Sequence, residues 1–344
     1  MTGRADERIA LRHGAGGRAM RALIESVFLD GTGDVACDGT VGLAAMDDGA
    51  AIPIGDRWLV ITTDSHVVHP VFFPGGDIGR LAIAGTVNDL AMMGAPDVLA
   101  LTCAVVLEEG FPRADLERIQ TSMRAACREA GATVVAGDTK VMGRGELDGI
   151  VLNTSGVAIT DRVIPDCGLR AGDLIVVTGT IGDHGLAIMA ARHGLALEGD
   201  LRSDVAPLND LVRSALAAAD GGVVAMKDPT RGGLASALHE MAAKSGVGVV
   251  LDETAVPLTP EVRAAAELLG IDPLHVANEG KAVLGVRPAA ADDVLSALRA
   301  HPLGRRAAIV GRAVEERPGS IILDTGFGRR LLGEPDGDPM PRIC

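Results

Sequence analysis

Acidic side chains stand at the edges of several apolar, strand-like segments of this sequence. Asp47 and Asp48 precede one such segment, Asp64 follows a second, and Asp138 follows a third. Carboxylates at strand ends converge easily, and their hard oxygens are the ligands that hold Mg²⁺ together with nucleotide phosphates. The alternative is that each aspartate only caps a turn, which explains most single cases. Three positions together favour a metal site.

Another acidic residue, Asp89, lies inside a helix predicted over 78–93 that is apolar on nearly all sides. Burying an unpaired carboxylate is unfavourable. Asp89 is therefore expected to meet a cation, a metal or a group of donors, or else to hold a proton with a raised pKa. This makes Asp89 a candidate for the functional site, with Asn88 beside it. A structural pair that satisfies neighbouring backbone amides is the alternative.

Glycine-rich turns form a second group of candidates. His13, Gly14, Gly16 and Gly17 precede a helical stretch over 18–28 and would offer consecutive backbone amides to an anion. The segment lacks the GxxxxGK[ST] pattern of a P-loop, so a purely structural turn remains open.

Three further segments combine such turns with charge: Gly137, Asp138, Thr139 and Lys140; Lys227, Asp228, Pro229, Thr230, Arg231, Gly232 and Gly233; and Asn278, Glu279, Gly280 and Lys281. Their cations suit phosphate oxygens and their carboxylates suit a metal or a proton. The second segment is equally compatible with a strand-to-helix turn, and the third with a solvated loop.

The last residue, Cys344, ends a segment over 327–344 that is rich in glycine, proline and aspartate and is not expected to bury a core. At ~3.3 Å per extended residue, such a tether could carry the sulfur through roughly 50 Å. A mobile nucleophile suggests a carrier of a covalent group. The alternative is an ordinary frayed terminus.

Composition excludes several classes of protein. A formal net charge of -14 and an aromatic content of 2% disfavour a nucleic-acid partner, which needs a basic surface and stacking platforms. The five cysteines show no CxxC spacing, which argues against a disulfide framework and a zinc knuckle. Since no apolar stretch approaches the ~18 residues needed to span a bilayer, we expect a cytoplasmic protein without a membrane partner.

The elements that must position these residues follow an α/β or α+β pattern, with apolar β-branched runs separated by helical stretches. Strands are predicted over 58–62, 98–106, 133–136, 150–159, 174–178, 247–251, 282–286, 307–310 and 320–323. Helices are predicted over 78–93, 113–130, 183–193, 208–219, 232–245, 259–269 and 291–299. A charged, proline-containing seam over 161–166 separates two halves. We therefore expect an N-terminal segment over 1–40, domains over 41–162 and 163–326, and a flexible tail over 327–344.

These segments together resemble the HypE family of hydrogenase maturation proteins, carbamoyl dehydratases of the AIR-synthetase-like and selenophosphate-synthetase-like ATP-binding superfamily. The resemblance covers nearly the whole chain. It rests on the segments named above, on 62–65 and 72–79, and on the terminal Pro341, Arg342, Ile343 and Cys344. The terminal motif discriminates, because the similar selenophosphate synthetases carry their reactive residue near the N-terminal glycine loop, which has no cysteine here.

The resemblance implies a PurM-like fold of two α/β domains, with an N-terminal sheet that pairs in a homodimer, a C-terminal α+β sandwich and a flexible C-terminal tail. It implies ATP and Mg²⁺ at the junction of the domains, with the partner subunit as a further contributor. It also implies that a HypF-like carbamoyltransferase loads the Cys344 thiol, that the thiocarbamate is dehydrated to a thiocyanate, and that cyanide passes to iron on a HypC–HypD-like complex.

On this hypothesis each candidate has a role. Cys344 carries the substrate, Glu279 and Asp89 accept protons from nitrogen, and Lys140 either stabilises developing charge or acts as a neutral base. The metal ligands are Asp47, Asp64, Asp89 and Asp138. The nucleotide ligands are His13, Gly14, Gly16, Gly17, Asp64, Asn88, Gly137, Asp138, Thr139, Lys227, Asp228 and Arg231.

Two other hypotheses remain open from the sequence. Another ATP-dependent enzyme of the superfamily would phosphorylate a free small molecule and make the tail incidental. A binding protein would use ATP only to hold a conformation, and Cys344 would ligate a metal for a partner.

Overall fold

The computed structural model describes residues 8–14, 16–29, 41–195, 199–335 and 342–344. Parts of the predicted segment 1–40 and of the predicted tail lie outside these ranges. Within them, the chain forms a five-stranded sheet, then a seven-stranded sheet, with helices against both. The predicted two-part α/β architecture is confirmed.

The N-terminal sheet has the strand order β1-β2-β7-β5-β6, in which β5 and β6 are parallel and the other pairs antiparallel. Helices α2 and α3 cover one face. A short helix α1 precedes the sheet, and β3 and β4 form a two-stranded ribbon before α2. The bounds are α1 Gly17–Leu23, β1 Ala50–Ile54, β2 Arg57–His66, β3 Phe72–Phe73, β4 Gly76–Asp77, α2 Ile78–Met92, β5 Val98–Glu108, α3 Arg113–Ala130, β6 Val134–Met142 and β7 Ile150–Thr160.

The C-terminal sheet has the order β14-β13-β10-β12-β8-β11-β9. Helix α6 packs on one face, and α5 and α8 pack on the other. The bounds are β8 Leu174–Val177, α4 Asp183–Arg192, α5 Asn209–Ala218, β9 Val223–Lys227, α6 Gly233–Ser245, β10 Gly248–Asp252, α7 Pro260–Leu269, β11 Val283–Val286, α8 Ala291–Ala300, β12 Ala308–Val314, β13 Ile321–Asp324 and β14 Arg329–Leu332.

The position of helix α2 between the two halves accounts for its apolar sequence. Asp77 caps its start by accepting hydrogen bonds from the backbone N–H groups of Gly79 and Arg80. The helix is apolar nearly all round because the N-terminal sheet and α3 cover part of it, and α5 and β9 of the C-terminal half contact the rest. It therefore joins the cores of the two halves, with Asn88 and Asp89 at their junction.

Some predictions about elements are wrong in detail. Strands β2 and β6 extend to His66 and Met142, so Asp64, Asp138 and Lys140 lie within strands rather than after them. Strand β9 was not among the predicted strands. The predicted tail is not unstructured throughout, because Arg329–Leu332 pairs antiparallel with β13 and buries Leu332. Such a short edge strand gives only one inward side chain as a sequence signal.

In the described part of the chain, no helix is long and apolar enough to cross a membrane.

Candidate functional site

A cavity of about 620 Å³ lies at the junction of the two halves. It receives side chains from the N-terminal loop, the N-terminal sheet, α2, the turn after β9 and the end of the chain. Its lining includes many of the predicted residues: Gly16, Gly17, Asp47, Asp48, Asp64, Asp89, Lys227, Asp228, Arg231, Glu279 and Cys344. The sequence-predicted convergence of acidic residues is therefore present for most of the set.

Asp89 lies at the floor of the cavity, on α2. Its Oδ2 accepts a hydrogen bond of 2.8 Å from Thr62 Oγ1 on β2. The side chain is half-buried because it faces the cavity. Desolvation, followed by repulsion from Asp228 and Asp64, raises the pKa of Asp89 well above its usual range. Of the alternatives predicted for Asp89, a donor and a raised pKa apply together.

Asp64 is held from the side by a buried histidine. Its Oδ1 accepts from the backbone N–H of Ser65 at 2.8 Å, and its Oδ2 lies 3.4 Å from His66 Nε2. Burial lowers the pKa of His66. The neighbouring Gly85 of α2 leaves room for this pair, since a Cβ there would lie 2.9 Å from His66 Cε1.

Glu279 approaches the cavity from the turn before β11. The residue is buried, and its Oε1 has no hydrogen-bond partner among the described residues. Desolvation, then repulsion from Asp228, raises the pKa of Glu279 well above its usual range. Its backbone is fixed on both sides, because its N–H donates to Asp204 Oδ1 at 3.1 Å and its C=O accepts from Asn88 Nδ2 at 3.3 Å. A rigid backbone thus carries an uncommitted carboxyl oxygen.

Lys227 is engaged with carboxylates rather than open to a phosphate. Its Nζ lies 2.5 Å from Asp48, 3.4 Å from Glu240 and 3.5 Å from Asp166. Burial alone would lower the pKa of Lys227, but these three charges outweigh it and raise the pKa well above the usual range. Lys244 Nζ also contacts Asp166, at 2.6 Å. This charged cluster supports the wall of the cavity.

Three other carboxyl groups near the cavity, those of Asp47, Asp48 and Asp228, lie close together and repel one another when ionised. Desolvation comes first among the causes that raise the pKa of Asp47 to about 6, and it also raises the pKa of Asp48 and, well above its usual range, that of Asp228. Asp48 Oδ2 is buried without a hydrogen-bond partner among the described residues. A cation or a proton would relieve this repulsion.

The N-terminal loop packs against Arg231. Gly16 has a φ of 78°, which L side chains rarely adopt, and a Cβ there would lie 2.9 Å from Arg231 Cβ. Arg231 Nη1 donates to the Gly14 carbonyl at 3.2 Å. Of the loop, Gly16 and Gly17 line the cavity. His13 does not, and its Nδ1 accepts from the Ala10 backbone at 3.0 Å.

Cys344 enters the same cavity, beside Arg231. A main-chain carboxylate oxygen of Cys344 accepts from the Val67 N–H at 3.3 Å, and the carbonyl of Arg342 accepts from the His69 N–H at 3.1 Å. Ile343, between them, is buried. The charge of Cys344 is the first cause that raises the pKa of Arg231, ahead of Asp64. Cys344 therefore lines a cavity shared with several carboxylates and with Arg231.

Some predicted site residues lie elsewhere in this chain. Asp138 and Lys140 form an exposed pair at 3.2 Å on β6, and Gly137, Asp138 and Thr139 line a separate cavity against α3. Asn88 is not a cavity-lining residue. Its side chain is committed to backbone groups, since Oδ1 accepts from the Leu208 N–H at 2.7 Å and Nδ2 donates to the carbonyls of Ala206 and Glu279. Asn88 therefore positions Glu279.

Within the described ranges, no three His, Cys, Asp or Glu side chains form a group arranged to hold a metal ion. The donor chemistry nonetheless suits a hard cation, because the cavity presents carboxylate oxygens, including the orphaned Asp48 Oδ2. Nucleotide phosphates would supply the remaining ligands.

Several supporting residues were not predicted as site residues: His66, Asp166, His184, Asp204 and Glu240. His66 and Asp204 contact a predicted residue directly, yet each stands in a segment without a glycine-rich turn or a repeated charge. Only their three-dimensional proximity reveals them.

Comparison with known proteins agrees with this geometry. The models of the AIR synthase related protein family match twice, the N-terminal domain at residues 46–160 and the C-terminal domain at 170–324. Carbamoyl dehydratase HypE of Cupriavidus necator is 48% identical, covering 98% of this chain and 95% of the relative. That of Escherichia coli is 44% identical, covering 98% and 99%.

Solved structures give the same result. A HypE–HypF complex contains a chain with a TM-score of 0.84 and 41% identity, covering 91% of this chain and 100% of that one. HypE in complex with ATP has a TM-score of 0.81 and 39% identity, covering 98% and 100%. The full-length matches, together with a terminal cysteine seated among converging carboxylates, show that the chain belongs to the HypE family of carbamoyl dehydratases, built from the two AIR synthase related domains.

Proposed function

We propose that this protein dehydrates its own S-carbamoylated Cys344 to a thiocyanate at the expense of ATP, and thereby supplies the cyanide ligand of iron in [NiFe]-hydrogenase maturation. The observation that carries the proposal is the position of Cys344, whose side chain lines the acidic cavity at the junction of the domains. The family relationship supports the same activity. An unrelated terminal cysteine would have no reason to occupy this cavity.

The reaction needs activation because an amide oxygen is a poor leaving group. The carbamoyl oxygen attacks the γ-phosphorus of ATP and ADP departs. The nitrogen then loses two protons in all, the C–O bond breaks, and inorganic phosphate leaves with the oxygen. Thiocarbamate and ATP thus give thiocyanate, ADP and phosphate, and no redox partner is required. Positioning and charge neutralisation are the main demands on the protein.

Glu279 is the best-placed proton acceptor. Its Oε1 is buried and makes no hydrogen bond among the described residues, and its pKa is raised. Once ionised, a carboxylate with a raised pKa is a stronger base than an ordinary glutamate. Asp89 is the second acceptor, and its Oδ2 is held by a hydrogen bond from Thr62.

Arg231 is the cation that meets the transferred phosphoryl group, since it faces Cys344 and Asp64 at once. Mg²⁺ supplies further neutralisation of phosphate charge when bound. Asp48, Asp64 and Asp228 would hold it. Asp47, which was also predicted, accepts instead from the backbone N–H groups of Asp48 and Asp166, and Asp89, predicted for both roles, is assigned to proton transfer. Gly16 and Gly17 would face the nucleotide phosphates.

The partners follow from the reaction. A HypF-like carbamoyltransferase loads Cys344, in line with the solved HypE–HypF complex, and a HypC–HypD-like iron complex accepts the cyanide. We also propose a homodimer in the cytoplasm. The N-terminal sheet exposes large apolar side chains on β5 and on its edge strand β6, including Leu99, Val135 and Val141, which a second copy would cover.

The experiment is mass spectrometry of the intact protein after carbamoylation of Cys344, with and without MgATP. Loss of one water from the terminal peptide, together with phosphate release, is expected only with MgATP. A Glu279→Gln protein should bind ATP but keep the carbamoyl group. A modified peptide that never changes while ATP is bound would refute the dehydratase, and ATP turnover that survives removal of residues 342–344 would indicate a free small substrate.

A further inference from the structure

We infer that the start of α4 and the segment 67–69 form a receptor for the last three residues of the chain, in which His184 sets the position of Cys344 by donating a hydrogen bond to the preceding carbonyl. The receptor deepens the proposed function, because it would determine where the carbamoyl group lies. Its existence can be tested without that reaction.

The first contacts of the receptor are made by backbone. The N–H groups of Val67 and His69 donate to the main-chain oxygens of Cys344 and Arg342, at 3.3 and 3.1 Å. Two bonds at alternate residues are the pattern of a short added strand, so residues 342–344 lie alongside the segment 67–69 that follows β2. Such backbone bonds fix the direction and register of the tail but provide little specificity for its side chains.

His184 makes the contact between those two. Its Nε2 lies 2.6 Å from the carbonyl oxygen of Ile343, and its Nδ1 lies 2.7 Å from Ser203 Oγ. Because a carbonyl only accepts, Nε2 carries the proton, and in the neutral ring Nδ1 then accepts from the Ser203 hydroxyl. Ser203 therefore fixes the tautomer that faces the tail.

The ring of His184 cannot easily turn away. The residue is wholly buried, and its ring meets that of Phe73 edge to face with centroids 5.6 Å apart. A buried donor aimed at one carbonyl restrains the tail at the residue next to the reacting thiol. Displacement there would move the sulfur directly.

Arg192, at the end of α4, provides a second restraint. Its Nη2 donates to the carbonyls of both His69 and Arg342 at 2.8 Å, so it joins the receptor strand to the tail. Ile343 buries its side chain in the core cluster that contains Leu186 of α4. The receptor therefore suits a chain terminus with one apolar residue directly before the cysteine.

The test is the rate of alkylation of Cys344 by iodoacetamide in the full-length protein without nucleotide, read peptide by peptide. His184→Asn places an amide near the former Nδ1, which keeps the Ser203 contact but cannot reach Ile343. His184→Gln places its amide near the former Nε2 and restores the donor. We expect about tenfold faster alkylation in the Asn variant, the effect of one lost hydrogen bond to a buried acceptor, and nearly wild-type protection in the Gln variant.

The control is His239→Gln. His239 also bonds a carbonyl near the tail, that of Leu332 at 2.9 Å, but does not line the cavity, so the rate at Cys344 should not change. Cys103 and Cys127 report any general loosening in the same sample. Equal rates in wild type and His184→Asn, or equal rates in the Asn and Gln variants, would overturn the assignment.

If His184→Asn does not fold, Arg192→Met replaces it, since Arg192 is near the surface, and severalfold faster alkylation is expected. An unchanged rate there would overturn the receptor. With carbamoylated protein, His184→Asn should also lower the dehydration rate while leaving the Kd for ATP unchanged. Protection that depends on His184 in a protein that never dehydrates would leave the receptor standing and remove the proposed reaction.

Discussion

At the scale of single residues, the cavity brings together several carboxyl groups whose pKa values are raised above their usual range. Asp47 illustrates the effect. Its Oδ1 and Oδ2 accept from the backbone N–H groups of Asp48 and Asp166, at 2.9 and 3.1 Å, yet desolvation and the charge of Asp166 raise its pKa from 3.8 to about 6. Two hydrogen bonds do not compensate for lost hydration beside other carboxylates.

The first prediction concerns Asp47→Asn. Between about pH 4 and 6 the folded protein keeps the Asp47 proton while the unfolded chain loses it, so the free energy of unfolding falls as pH rises through this window. The shift corresponds to at most about 3 kcal/mol. The Asp47→Asn variant has no titrating group at this position, so its free energy of unfolding does not fall for this reason. Its Tm, measured relative to wild type by scanning fluorimetry from pH 4.5 to 7, should therefore rise by a few degrees.

The substitution also removes one hydrogen-bond acceptor, but that cost is the same at every pH and does not alter the slope. Asp56→Asn, in the exposed turn between β1 and β2, serves as the control and should keep a constant Tm difference. Parallel pH profiles for wild type and Asp47→Asn would contradict the raised pKa.

The sequence predicted residues whose type is unusual for their surroundings. Asp89 in an apolar helix and Cys344 at the end of the chain both line the cavity. Asn88, predicted as the neighbour of Asp89, binds backbone groups and does not line the cavity. One helical residue turns the side chain by about 100°, so neighbours in sequence need not face the same space.

At the scale of elements, the loop before α1 depends on one glycine and not on another. Gly16 has a positive φ and touches Arg231, whereas Gly14 has open space around its Cβ position and no positive φ. The sequence predicts the same role for both glycines, because a glycine-rich run does not show which residue adopts a positive φ.

The second prediction follows from that difference. Gly16→Ala should weaken ATP binding by about tenfold, because left-handed backbone costs an L residue roughly 1–2 kcal/mol and the added methyl meets Arg231. Gly14→Ala is the matched control and should bind ATP as wild type does. Isothermal titration with MgATP gives the two Kd values, and equal loss in both variants would mean that the loop binds through general flexibility.

Element boundaries were predicted well where one face is buried and poorly where it is not. Helix α3 was predicted over 113–130 and spans Arg113–Ala130. In contrast, β6 was predicted to end at 136 but continues to Met142, with nearly every residue exposed in the single chain. Alternation of apolar and polar residues marks a strand only when one face packs, so an uncovered edge strand reads as a loop.

At the scale of the whole molecule, one predicted site residue lies away from the cavity of its own chain. Cys344 and Glu279 line the same cavity, whereas Lys140, to which a role in the reaction was assigned, is exposed on β6 and pairs with Asp138. Apolar side chains of the same sheet, including Val135 and Val141 of β6, are also exposed. The proposed homodimer would account for both facts if β6 of one copy completes the cavity of the other.

The third prediction tests this with mixed dimers, each made of two different inactive chains. In a Lys140→Ala chain paired with a Cys344→Ser chain, the intact lysine of one copy would serve the intact cysteine of the other, so dehydration should return at one of the two sites. The control pairs Glu279→Gln with Cys344→Ser. Because Glu279 and Cys344 share a cavity within one chain, that dimer should stay inactive. Activity is read as thiocyanate formed on the purified, differently tagged heterodimer after carbamoylation. Silence of both pairs would mean that Lys140 acts only within its own chain, and activity of both would show that tails exchange between copies.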